Sequence, residues 1–124
     1  MSLSDYFQTT KGVGILATSY SDGNVDMAIY ARPYIIDEKT IAFSMLERTS
    51  YTNILSNPKA AYMFIEDSQG YNGKRLYITK TCEETDAKKI EQIKSQYLDR
   101  HKSSPESARH LIYFSIDKIR PLVG

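Results

Sequence analysis

The chain has 124 residues, enough for one compact domain with one core and too few for a separate catalytic module. Hydrophobic residues at 41% and charged residues at 25% match an ordinary globular protein, which argues against disorder and against a membrane protein. Sixteen basic against fifteen acidic residues leave a formal charge of +1, so there is no broad attraction to nucleic acid and any anion must be held by a local site.

Residues 2–10 carry Leu3, Tyr6 and Phe7 at helical spacing behind a capping serine, Ser2 or Ser4, and Gly12 ends the run, which predicts a short opening helix. A β-rich stretch, residues 12–20, then meets the turn Ser21-Asp22-Gly23-Asn24, whose residues tolerate positive φ, so a hairpin is expected. The returning strand, residues 25–36, alternates: Val25, Met27, Ile29 and Ala31 share one face, expected to be core, and Asp26, Ala28, Tyr30 and Arg32 share the more polar one. Pro33 lacks a ladder donor and implies an edge or a bulge, an irregularity of the kind that aims side chains at ligands. Residues 40–45 form a third strand. Residues 47–58 open on a polar segment and close at Asn57-Pro58, which suits a short helix.

Residues 59–66 and 75–81 read as the fourth and fifth strands, joined by a loop with Gly70 and Gly73. Beyond Thr85 the period changes: Ala87, Ile90, Ile93, Tyr97 and Leu98 recur at helical spacing and predict one amphipathic helix. A polar break at 103–107 precedes a last strand, residues 110–116. The predicted class is mainly β within α+β, a single domain over residues 1–124. Its six-stranded antiparallel sheet closes into a barrel to protect its edges, with a short N-terminal helix, a short helix after the third strand and an amphipathic helix before the last.

An anion site needs a cation and short donors, and Arg48-Thr49-Ser50, with Thr52 and Asn53 beyond, supplies both at the expected start of a helix. The same residues suit a plain helix cap beside a solvated arginine. Arg32 offers a second cation or an ordinary surface arginine. The Gly70 to Lys74 loop lacks phosphate-loop spacing and reads as a turn. Cys82, the single cysteine, stands before Glu83 and Glu84, which disfavour a thiolate, so it is expected to be structural, and no metal site is expected. His101 and His110 lack metal-ligand spacing and lie apart from the anion segment. Glu83, Glu84 and Asp86 resemble the carboxylates of a helix N-terminus. The absence of an export signal and of a bilayer-length apolar run, with one free thiol, points to the cytoplasm and no membrane partner.

Gly14-Ile15-Leu16-Ala17-Thr18, the turn Asp22-Gly23, the strand from Met27 to Pro33, Thr40-Ile41-Ala42-Phe43-Ser44, and Asn53-Ile54-Leu55-Ser56-Asn57-Pro58 leading into Lys59 follow one another in a familiar order. In that order and spacing the chain resembles the pyridoxamine 5'-phosphate oxidase-like, FMN-binding split-barrel superfamily, in the size class of its small bacterial FMN-binding proteins. The resemblance implies a homodimer with two FMN sites at the subunit interface. It implies that Arg48, Thr49, Ser50 and Asn53 meet the flavin phosphate and that Tyr30, Ala31 and Arg32 lie along the isoalloxazine ring. Ser44 and Met45 would line the ribityl chain or ring, while Tyr71 and Lys74 would reach the partner's flavin. Two departures stand out. Many members carry adjacent basic residues in the phosphate segment, where this chain has Arg48 followed by Thr49-Ser50-Tyr51. Arg120-Pro121-Leu122 lacks the context of a substrate-binding C-terminus, so oxidation of pyridoxamine phosphate itself is not expected. The implied function is an FMN-dependent oxidoreductase or electron carrier, the flavin doing the redox chemistry. The alternatives are a non-enzymatic ligand-binding sensor and a haem-binding split barrel.

Overall fold

The computed structural model describes residues 2–95 and 109–124. Tyr97, Leu98, His101 and the polar break at 103–107 lie outside the described residues. Helix α1 (Leu3–Thr9) starts at Ser2, whose hydroxyl accepts from the Asp5 amide at 3.1 Å, and it buries Leu3 and Phe7. Strands β1 (Gly12–Ser19), β2 (Val25–Ile29), β3 (Tyr34–Asp37) and β4 (Thr40–Leu46) follow, then helix α2 (Thr49–Ser56). Strands β5 (Lys59–Glu66) and β6 (Gly73–Glu84), helix α3 (Ala87–Ser95) and strand β7 (Arg109–Pro121) complete the order. No described helix is long and apolar enough to cross a membrane.

All strand pairs are antiparallel and form one sheet in the order β2-β1-β5-β6-β7-β4-β3. Among the described residues, the expected count of six strands is therefore corrected to seven, and the expected closure to an open ladder with β2 and β3 at its edges. The cause lies at residues 30–33. Pro33 cannot donate to a ladder, and the Tyr30 and Ala31 carbonyls turn inward to accept from the Tyr62 hydroxyl at 3.3 and 3.2 Å. The expected second strand thus splits into β2 and β3, and its two halves become the two edges. The connector spans between them: the Tyr30 amide bonds Gly14 of β1 at 2.9 Å, while the Tyr30 ring meets Phe43 of β4 edge-on at 5.8 Å.

This crossing explains a glycine. A Cβ at Gly14 would stand 1.8 Å from the Tyr62 hydroxyl and 2.6 Å from the Tyr30 carbonyl, so only a glycine lets the connector pass. Inside the curled sheet, Leu16, Phe43, Tyr62, Phe64, Leu76, Ile78 and Phe114 are buried, with Phe7 of α1 and Ile54 of α2 closing the core at its ends. On the outer side of β3, β4 and β7, a second cluster of Tyr34, Ala42 and Leu111 packs beneath Ile90 and Ile93 of α3.

The expected facing of β2 is inverted. Val25, Met27 and Ile29 are 80%, 73% and 72% exposed, and Ala31 is exposed as well. Alternation tells which residues share a face; the pairing partner decides which face is inside. Val25, Met27 and Ile29 stand opposite Ser19, Ala17 and Ile15, on the side of β1 that points away from buried Leu16 and Thr18. Strand β6 also runs past its expected end, so Glu83 and Glu84 are strand residues, and only Asp86 serves α3, accepting from the Lys88 amide at 2.9 Å.

Candidate functional site

At one end of the curled sheet, β4 stops at Leu46 and α2 begins three residues later, at Thr49. Arg48 is the N-cap residue, but its side chain makes no capping bond, so no side chain at that position meets the first-turn amides of α2. Arg48 and Thr49 are exposed, and the Arg48 side chain makes no hydrogen bond or ion pair among the described residues, while its backbone amide donates to the Leu46 carbonyl at 2.8 Å. Ser50 and Asn53 are buried, and the Asn53 amide donates to Thr18 Oγ1 at 3.0 Å, fastening α2 to β1. Met45 is fully buried in the core. Ser44 keeps a buried hydroxyl with no hydrogen-bond partner among the described residues. An open groove of about 560 Å³ runs beside α2, lined by Tyr20, Glu47, Tyr51, Thr52, Leu55 and Ser56.

The other expected contacts gather at the opposite end, around α1. Arg32 Nη1 donates to the Phe7 and Thr10 carbonyls at 3.1 and 2.9 Å, a cation on the C-terminal end of α1. Lys74 Nζ lies 4.7 Å over the Tyr6 ring, and the Tyr6 hydroxyl donates to Glu66 at 2.6 Å. Burial, and then Glu66, raise the Tyr6 pKa. Tyr71 is 82% exposed in the loop of the β5–β6 hairpin; of the expected Gly70 to Lys74 turn, Gly73 and Lys74 instead belong to β6. Tyr30 and Ala31 sit in the connector between the edges. At strand rise, the six steps from Gly12, beside α1, to Thr18, beside α2, cover about 20 Å. One chain therefore brings Arg48, Thr49, Ser50 and Asn53 together, and separately Arg32 and Lys74.

A cluster that sequence reasoning missed lies beside the α2 group. His110 of β7 contacts Glu83 through Nδ1 at 2.6 Å and Glu47 through Nε2 at 2.9 Å, and its ring stacks on Tyr51 at 4.1 Å. The Tyr51 hydroxyl also donates to Glu83, at 2.9 Å. The hydrogen bond to Glu83 raises the His110 pKa, against burial and with help from Glu47. Burial works to raise Glu83, but its bonds to His110 and Tyr51 hold it below the usual carboxylate range. Beside it, burial and Glu84 push Tyr113 up to about 12. The expectation that His110 lies apart from the anion segment is corrected: it bonds the residue that precedes Arg48. No local signal announces this, because the partners stand 27 and 63 residues away in sequence.

The family model described as pyridoxamine 5'-phosphate oxidase matches residues 5–122. No curated protein sequence matches the chain significantly. Among solved structures, an FMN-binding protein from Syntrophomonas wolfei is similar at 18% identity and a TM-score of 0.80, over 97% of this chain and 83% of the other. An F420 reductase aligns at 18% identity and a TM-score of 0.65, over 94% of each chain. The haem storage protein HutZ of Vibrio cholerae aligns at 15% identity and a TM-score of 0.69, over 98% of this chain and 95% of the other. At such identities these likenesses establish a shared fold, while the named ligands differ among the three.

Proposed function

The chain belongs to the pyridoxamine 5'-phosphate oxidase family, and from that premise we propose that it is an FMN-binding flavoprotein, an oxidoreductase or electron carrier that works as a homodimer. The observation that carries the proposal is Arg48, an exposed and uncommitted cation at the N-terminus of α2, where backbone donors and a helix dipole favour phosphate. Thr49 and Ser50 add hydroxyls to the same turn, and the unpartnered Ser44 hydroxyl on β4 offers a further donor to a bound group. These residues fit the phosphate and polar chain of FMN; the bound flavin would supply the redox chemistry while this chain binds and orients it. With its single exposed thiol, Cys82, the protein suits a reducing cytoplasm.

The homodimer is supported by the bare apolar face of β2, β1 and β5. Val25, Met27 and Ile29 join Ile15, Ala17, Ala61 and Met63 on one side of the sheet, a makeup suited to an interface with a second copy. A two-fold dimer built on that face would set the α1 end of one chain toward the α2 end of the other. Lys74 and Tyr71 of one subunit would then complete a site begun by Arg48 of its partner. Oxidation of pyridoxamine phosphate is not part of the proposal. Arg120 stands opposite Arg75 in the β6–β7 ladder, and Arg75 bonds the Pro121 carbonyl at 2.8 Å, so the terminal basic residues are engaged with the chain itself.

A haem reading is less favoured, because His110, the one histidine among the described residues, has both ring nitrogens on carboxylates and would have to release one to ligate iron. The absorption spectrum of the purified protein after addition of FMN or haem separates the readings, two flavin bands against a Soret band. Anaerobic reduction of the flavin by NADH or NADPH separates an oxidoreductase from a passive sensor. Replacing Arg48 with Ala is expected to weaken FMN binding by about 1.5–3 kcal/mol, the size of a charge-assisted hydrogen bond. Unchanged affinity would remove Arg48 from the site.

A further inference from the structure

Resting on the FMN reading, we infer that His110 is a positioning residue that sets the charge beside Arg48, so that the anion site is tight while His110 carries its proton and loosens when the proton leaves.

Both imidazole nitrogens face carboxylate oxygens, Glu83 on β6 and Glu47 in the turn between β4 and α2. An ionised carboxylate only accepts, and a neutral imidazole has a single N–H. Only the imidazolium can therefore satisfy both contacts at once. The remaining neighbours fit the same charge state. Tyr51 of α2 stacks on the ring and donates its hydroxyl to Glu83, so it consumes a second Glu83 lone pair without competing for the imidazole protons. Lys80, farther along β6, acts on Glu83 as a distant positive charge. On β4 the residue opposite His110 is buried, apolar Met45.

The charge count then couples the cluster to the anion site. With His110 protonated, two carboxylates and one cation leave one net negative charge; without the proton they leave two. Glu47 directly precedes Arg48, so the added charge appears next to the guanidinium proposed to hold phosphate. The geometry changes in the same direction. A neutral ring keeps one carboxylate and turns a lone pair on the other, which frees the turn carrying Glu47 and Arg48 from β7. Because the Glu83 bond, aided by Glu47, raises the His110 pKa, the change falls on the alkaline side of an ordinary imidazole.

The test uses FMN and riboflavin, with dissociation constants read from quenching of flavin fluorescence by the whole protein. Above about pH 7 a phosphate monoester is already dianionic, so the range from there to about pH 9 isolates the protein's own titration. FMN affinity is expected to fall about 5-fold across that range, the size of one partly screened charge nearby, while riboflavin, which lacks the phosphate, stays flat. His110→Gln should flatten the FMN curve. Glu47→Gln, a change at a side chain 69% exposed and so tolerable to the fold, should tighten FMN binding and shrink the slope. FMN binding with a flat profile in the native protein, or with the native slope in both variants, overturns the inference and leaves the FMN reading standing. No FMN binding at any pH overturns both.

Discussion

The outer side of the sheet has two faces of similar makeup and different fate. Over β3, β4 and β7, Tyr34, Ala42 and Leu111 are buried under Ile90 and Ile93 of the chain's own helix α3. Over β2, β1 and β5, Val25, Met27 and Ile29 lie open beside Ile15, Ala17 and Met63. A strand face is apolar because something covers it, and the described residues supply that cover only once. The covered face belongs to the stability of one chain. The bare face, on the proposed reading, belongs to assembly, and with it the joining of two half-sites that one chain holds about 20 Å apart along β1.

The strongest way to break this comparison is to charge the bare face. Replacing Met27 and Ile29 together with Lys is expected to weaken self-association about 100-fold or more, read as molar mass by light scattering, while circular dichroism stays native because both side chains are exposed. A persistent dimer would show that the interface lies elsewhere. In that monomeric background, Leu111→Ala should cost about 2–4 kcal/mol of unfolding free energy in urea, as removal of a buried leucine does. A negligible loss would mean that α3 only rests on the sheet. The smallest effect is expected at the rim. Lys59 bonds Thr79 at 2.9 Å and lies 3.8 Å from Asp117 on an exposed edge of the bare face, so Lys59→Ala should cost no more than about 0.5 kcal/mol. A loss well above that would sharpen the comparison by drawing the rim into the interface.

Local signals carried much of the fold into view. Strand β5 occupies the residues its sequence predicts, Ser2 caps α1, and Asn57-Pro58 ends α2 where expected. What escaped depends on distant partners. Residues 25–36 alternate as one strand, and the break at 30–33 follows from Tyr62, a hydroxyl 32 residues beyond Tyr30. The inverted face of β2 follows from its pairing with β1, which alternation alone does not encode. Arg32 is a cation in any reading, but its two carbonyl partners belong to the end of α1, 25 and 22 residues earlier. His110 looked isolated because its carboxylates arrive on β6 and on the turn after β4. Arg48, by contrast, was legible: a basic residue just before a helix needs no distant partner to stand exposed at its N-terminus.

The most direct test of the account is sedimentation of the protein mixed with FMN, followed by the visible absorbance of the flavin. The chain has a mass of 14.2 kDa, so the account predicts flavin travelling with a species of twice that mass at one flavin per chain. Flavin travelling with the single chain, or left behind by a well-folded dimer, would contradict it.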